Sequence, residues 1–176
     1  MDIGVMGINT FAMTFCKHWI SAGHKIVFAD LPGQFDIFKK VSALGLSVSV
    51  TTPDQLASLT EIIVLGVEHR NLEKSIGLMG HVSKKIVVDL VADTGTPAHQ
   101  SSFVEIQKRL PDVKVVKLTS VYRHHLHQPS DNKQVIYSYS NDQLAQRMVR
   151  WSILGSGYRM VDVDNGIHEV VDKKTN

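Results

Sequence analysis

The chain has 176 residues, a length that suits one domain with a sizeable core. Hydrophobic residues make up 43% and charged residues 20%, an ordinary globular balance, and a net charge of +2 gives no argument for nucleic acid or an acidic membrane as partner. No apolar run approaches the ~18 residues of a membrane span, and a single cysteine, Cys16, excludes an internal disulfide, so the expected compartment is a reducing cytoplasm.

Asp2 to Met6 reads as a short strand at the very start, so no signal peptide is expected. Gly7-Ile8-Asn9-Thr10-Phe11-Ala12 is a turn into a helix, and Lys25 to Ala29 is a second strand that ends at Asp30. This is the layout of a dinucleotide-binding βαβ unit, with Asn9 where the second glycine of G-x-G-x-x-G/A belongs. Gly7 allows a sharp turn off the strand. Ala12 is small enough for close helix–strand packing, and the helix N-terminus offers unpaired amides to a pyrophosphate. Asp30 can accept hydrogen bonds from ribose hydroxyls. Asparagine visits left-handed conformations more readily than most residues, yet its side chain takes space. A weakened or reshaped phosphate site is the expectation, against a Rossmann-type domain that binds no nucleotide.

Phe11, Phe15 and Trp19, with Ala12, Cys16 and Ile20, give the first helix a wide apolar face, and Gly23 ends it. Cys16 reads as a small core residue, not a nucleophile. Pro32 and Gly33 make a turn, Phe35, Phe38 and Val41 suggest a short helix, and Leu46 to Val50 a third strand. Pro53 to Ser58 is a helical turn or short helix. Ile62 to Val67 and Ile86 to Leu90 are continuous apolar runs, the mark of strands buried on both faces of a parallel sheet. Asn71 to Met79 and Ala98 to Leu110 are helices, and Val113 to Leu118 is a sixth strand. A histidine-rich loop, Tyr122 to Asn132, precedes a strand from Gln134 to Tyr139. Ser140 and Gln143 form a capping box that opens a helix to Leu154, and Tyr158 to Val163 is the last strand. Strands and helices alternate throughout, so the expected fold is α/β: a Rossmann-type, doubly wound, mainly parallel sheet in a single domain. That domain is expected over residues 1–165, with a short polar tail at 166–176.

Ile3-Gly4-Val5-Met6-Gly7, Ala22-Gly23-His24, Ile63-Val64-Leu65-Gly66-Val67, Lys85-Ile86-Val87-Val88-Asp89, Val115-Val116-Lys117 and Leu154-Gly155-Ser156-Gly157-Tyr158-Arg159-Met160-Val161-Asp162 occur in that order. In these segments the chain resembles a family of reductases that includes the deazaflavin-dependent NADP reductases and the cytoplasmic domains of membrane metalloreductases. The resemblance implies hydride exchange between a nicotinamide and a second redox partner. It implies that Gly7, Ile8, Asn9, Thr10, Phe11 and Ala12 hold the pyrophosphate, and Asp30 and Leu31 the adenosine ribose. Gly66, Val67 and Glu68 would line the ribose side, and Val91, Ala92 and Asp93 would lie near the nicotinamide. Several positions depart from the pattern. Asn9 replaces glycine, Glu68 stands where many members carry proline, and Ala92-Asp93 where they carry Asn-Pro. Ile167-His168-Glu169 gives a second resemblance, to the nucleotide domain of prephenate dehydrogenases, which pair it with a helical domain.

Hydride transfer between two bound cofactors depends mainly on placement. A carbonyl or alcohol substrate would also need a proton donor, and His124 and His125 are the candidates; the alternative is a solvated surface loop. No metal is expected, because adjacent histidines on a loop do not easily converge on one ion. His69 either touches the cofactor or is solvated. Asp89, inside an apolar strand, reads as a structural hydrogen-bonding acid. The expected function is an oxidoreductase moving hydride between a nicotinamide dinucleotide and a small or flavin-like partner. The alternatives are a non-catalytic NAD(P)-binding module or sensor, and a prephenate-dehydrogenase-like nucleotide domain. Asp30, with no arginine in Leu31 to Lys40, points to NAD over NADP. Exposed sheet edges and an open cleft suggest a homo-oligomer.

Overall fold

A computed structural model describes residues 1–34, 36–91, 101–119, 135–154 and 158–163. The elements in order are β1 (Asp2–Met6), α1 (Thr10–Ser21), β2 (Lys25–Ala29), α2 (Ile37–Ser42), β3 (Val48–Thr51), α3 (Pro53–Leu59), β4 (Ile62–Leu65), α4 (Leu72–Leu78), β5 (Ile86–Asp89), α5 (Ser102–Arg109), β6 (Lys114–Thr119), β7 (Val135–Ser140), α6 (Gln143–Ser152) and β8 (Arg159–Asp162). The eight strands form one sheet in the order β3-β2-β1-β4-β5-β6-β7-β8. All neighbours run parallel except β6 and β7.

The continuous apolar runs do what the sequence suggests. Each residue of β4 and β5 is buried, and successive residues serve opposite faces. Ile62 and Val64 join one core layer with Phe15, Trp19 and Val149, from α1 and α6. Ile63 and Leu65 join the other with Leu56, Ile76 and Ile106, from α3, α4 and α5. The sheet is therefore wound on both sides. The Trp19 indole N–H donates to Ser152 Oγ at 3.1 Å and ties α1 to α6 across the first layer. Cys16 is fully buried there, and desolvation pushes its thiol pKa up to about 12, which fits a core residue.

Local boundaries differ by a few residues at several elements, α5 among them, which begins at Ser102 and not at Ala98, and at three places the physical reason is plain. β3 begins at Val48, not Leu46, because Gly45 takes φ +100° and Leu46 stands fully in solvent. A 3₁₀ turn, His69–Asn71, precedes α4, which then starts at Leu72. The cap of α6 is Asp142, not Ser140. Asp142 Oδ1 accepts the Ala145 N–H at 2.8 Å, while Ser140 belongs to β7 and its hydroxyl donates to the Val115 carbonyl at 2.6 Å. The expected loops at 94–97 and 122–132 and the tail at 166–176 lie outside the described residues.

Candidate dinucleotide site

The chain leaves β1 for β2 on one side and later returns to place β4 on the other, so β1 and β4 flank the switch point of the sheet. Ligands of open α/β sheets collect at the carboxyl ends of strands flanking such a point. Two glycines stand at those ends. Gly7 follows β1 with φ +92°, and Gly66 follows β4. A Cβ on Gly7 would sit 2.5 Å from the Gly66 carbonyl oxygen, and one on Gly66 would sit 2.5 Å from Ala12 Cβ. The first glycine, the Ala12 position and Gly66 thus form one steric unit that holds α1 against the strand ends.

Asn9 is not in the left-handed region. Its φ of −63° and ψ of 159° are those of an N-cap residue, a backbone that needs no glycine. Its Oδ1 accepts the Ala12 N–H at 2.8 Å, its backbone N–H donates to the Gly66 carbonyl at 3.1 Å, and its Nδ2 donates to the Leu90 carbonyl at 3.1 Å. The side chain therefore folds onto the helix end and ties the turn to the terminus of β5. Met13 N–H is taken by the Asn9 carbonyl, which leaves the amides of Thr10 and Phe11 without an acceptor among the described residues. Two free amides at a helix N-terminus, with its partial positive charge, suit a phosphate.

Beside this turn lies a cavity of about 310 Å³. Of the expected site residues, Ile8, Asn9, Leu31, Gly66, Val67 and Glu68 line it. Gly7, Thr10, Phe11, Ala12, Asp30 and Val91 do not. Asp30 is exposed at the end of β2, its N–H bonded to the Thr51 carbonyl at 2.9 Å, with the cavity wall beginning at the next residue. Glu68 forms an exposed ion pair with Arg70 at 2.6 Å. His69 Nε2 lies 3.5 Å from the Glu105 carboxylate and so faces α5. Ala92, Asp93, His124 and His125 lie outside the described residues.

The far wall was not foreseen from the sequence. Pro32, Gly33 and Gln34 close it from the β2 side, and Asn71, Lys74, Ser75 and Leu78 from α4 and the turn before it. The last four recur at i, i+3, i+4 and i+7, the spacing of one helix face, and three polar residues on that face were the available signal. Gln34 Oε1 is buried and finds no hydrogen-bond partner among the described residues, an orphaned polar atom in the wall of the cavity. Unpaired amides and an orphaned acceptor are groups that a dinucleotide's phosphates and adenine can satisfy, so the residues present fit such a ligand.

Asp89 is a structural acid, as its place in the strand suggests. It is fully buried and accepts hydrogen bonds from Val91 N–H at 2.9 Å and Ser102 Oγ at 2.6 Å. Its ion-pair partner, unforeseen, is the equally buried Lys117 at 3.2 Å. Among the described residues no group of histidine, cysteine or carboxylate side chains could hold a metal ion, and no helix is long and apolar enough to cross a membrane.

Comparison with known proteins agrees with this geometry. The fold matches a protein from Arthrobacter sp. fb24 provisionally described as an F420-dependent NADP-reductase, with a TM-score of 0.78 and 17% identity over 97% of this chain and 88% of that one. It also matches the Plasmodium falciparum pyrroline carboxylate reductase with NADP bound, with a TM-score of 0.62 and 11% identity over 93% of this chain and 57% of that one. Prephenate dehydrogenase from A. aeolicus, in complex with hydroxyphenyl propionate and NAD+, matches with a TM-score of 0.66 and 13% identity over 97% of this chain and 62% of that one. The chain thus spans most of the first protein but less than two thirds of the other two. At these identities the likeness is one of fold. No curated protein matches the sequence. The family described as NADP oxidoreductase, coenzyme F420-dependent, matches residues 2–93, which include the β1–α1 turn, Asp30, Gly66 and the end of β5. The chain belongs to that family of NAD(P)-dependent oxidoreductases.

Proposed function

We propose that this chain binds a nicotinamide dinucleotide across the β1/β4 switch point and moves hydride between it and a small or flavin-like second substrate. The observation that carries this reading is the β1–α1 turn: Gly7 close against Gly66 and Gly66 close against Ala12, with the Thr10 and Phe11 amides free at the helix end among the described residues. The nicotinamide supplies the hydride chemistry, and the chain's own residues bind, orient and exclude water. If the second substrate is a carbonyl or an alcohol, His124 and His125 are the proton donors to test.

NAD is the proposed cofactor. Asp30 pairs with no cation among the described residues, and a carboxylate beside the adenosine ribose accepts hydrogen bonds from two hydroxyls but repels a 2′-phosphate. Two observations favour the second reading, NADP. Lys74 lines the cavity, and the family's description names NADP.

A homo-oligomer completes the proposal. Among the described residues β3 and β8 are the edge strands, and Arg150 ties α6 to the β8 edge through Asp162. Leu144, Met148 and Trp151 stand exposed on α6 at i, i+4 and i+7, an apolar stripe suited to a second copy of the chain. A monodisperse monomer in sedimentation at micromolar concentration would count against this.

The test of function is oxidation of NADH and NADPH with a panel of flavin, deazaflavin, quinone and ferric acceptors. Turnover with at least one acceptor is expected. Cofactor binding without turnover across the panel would assign a non-catalytic module instead.

A further inference from the structure

Asp89 and Lys117 are cross-strand partners in the register of β5 and β6, and both lie out of reach of solvent, with exposures of 0% and 3%. A buried ion pair rarely stabilises a sheet more than two apolar side chains of the same size would. What this pair does, and apolar residues could not, is hold backbone. Asp89 Oδ1 accepts the Val91 N–H at 2.9 Å, and Lys117 Nζ donates to the Val91 carbonyl at 2.5 Å. Val91 lies just past the last rung of the β4–β5 ladder, where Leu90 N–H meets the Leu65 carbonyl, so its backbone groups must find partners elsewhere. Ser102, the first residue of α5, joins the cluster: its hydroxyl donates to Asp89 Oδ2 at 2.6 Å and accepts from Lys117 Nζ at 2.7 Å. One residue earlier, the Leu90 carbonyl is held by Asn9 of the phosphate turn.

A dinucleotide lies across a switch-point crevice, its two halves on opposite sides of the pyrophosphate. The cavity walled by Leu31 to Gln34 and α4 occupies the β2 side, which leaves the terminus of β5 for the other half. We infer that Asp89 and Lys117 are positioning residues for the nicotinamide half, acting by fixing both backbone polar groups of Val91 at the end of β5. The inference rests on the dinucleotide-binding reading above. Neither residue lines the adenosine-side cavity, so their effect belongs to the nicotinamide ring and not to the adenosine.

The experiment compares NADH with ADP-ribose, which lacks the nicotinamide ring, by titration calorimetry on the full chain. The parent is expected to bind NADH at least tenfold more tightly than ADP-ribose. Lys117→Met is expected to erase that ratio while leaving the ADP-ribose Kd within about twofold, and Lys117→Arg to restore part of it. Lys117→Met removes the cation beside the buried Asp89 carboxylate and is at risk of misfolding. The double variant Asp89→Asn, Lys117→Met removes both charges, and Ser102→Ala trims one arm; both are expected to lower the ratio, the double variant more. A ratio unchanged in the double variant, or NADH and ADP-ribose weakened in parallel, overturns the inference while the functional reading stands. A parent that binds ADP-ribose and NADH alike also overturns it. A parent that binds neither overturns the functional reading, and the inference falls with it.

Discussion

The side-chain amide of Asn9 donates to the Leu90 carbonyl at 3.1 Å while its oxygen caps α1 on the Ala12 amide at 2.8 Å. One residue thus joins the phosphate turn to the end of β5 and takes one of the amides a phosphate would otherwise use. In the usual fingerprint a glycine stands here, and neither bond could form. Asn9→Ala should cost about 1–2 kcal/mol of stability, the usual range for a lost N-cap, measured by urea denaturation. Asn9→Gly keeps most of the capped backbone and frees the Ala12 amide. It should bind ADP-ribose more tightly than the parent does, and unchanged binding would show that this amide does not reach the phosphate.

Gly66 and Ala12 make a steric pair, and the pair can be tested as one. Gly66→Ala places a Cβ 2.5 Å from Ala12 Cβ, and overpacking of this kind costs about 1–3 kcal/mol. Adding Ala12→Gly returns the space. The double variant should recover part of the loss in thermal denaturation, with a coupling of at least about 0.5 kcal/mol, as expected for residues in contact.

Much of this site was legible in the sequence because its demands are steric. Gly7, Ala12 and Gly66 are small where the chain must turn or approach closely, and small residues at fixed offsets after apolar runs stand out. The role of Asn9 was less legible: its identity suggests a left-handed backbone or an obstructing side chain, and its dihedrals and hydrogen bonds show an N-cap instead. Asn71, Lys74 and Ser75 are not distinctive in the sequence, since polar residues on one helix face are ordinary, and what makes them a wall is the turn after β2 opposite them. Lys117 was visible as a charge in a valine-rich strand, but its partner 28 residues earlier depends on the β5–β6 register, which no local pattern encodes. Ser140 and Asp142 both satisfy the capping rule, and the antiparallel pairing of β7 with β6 draws Ser140 into the ladder opposite Val116 and leaves the cap to Asp142.

Asp142 should make stability depend on acid. Its carboxyl is held below the ordinary aspartate value of 3.8, chiefly by the hydrogen bond from Ala145 N–H and further by Lys114. A depressed native pKa contributes stability that is complete above the unfolded value and is lost as pH falls through the native one. Stability should therefore decline below about pH 4 in part through this residue. Asp142→Asn keeps an N-cap but cannot titrate, and its urea midpoint should fall less than the parent's between pH 5 and 2. Parallel curves would remove Asp142 from the account.

Cys16 should be silent in the native protein. With its thiol buried and its pKa raised to about 12, almost no thiolate exists at neutral pH. A thiol-reactive disulfide reagent should label it only on denaturation, and rapid stoichiometric labelling of the folded chain would contradict its place on the buried face of α1.

The most direct measurement is a calorimetric titration of the parent chain with NADH and with NADPH. The β1–α1 turn, with its two free amides, predicts one site for a nicotinamide dinucleotide per chain. Asp30 predicts that NADH binds at least tenfold more tightly than NADPH, about 1.4 kcal/mol, because a carboxylate beside a 2′-phosphate opposes a like charge. Asp30→Ser should narrow that difference. Equal or tighter NADPH binding would place the phosphate beside Lys74 and away from Asp30, and a chain that binds neither dinucleotide would contradict the account at its centre.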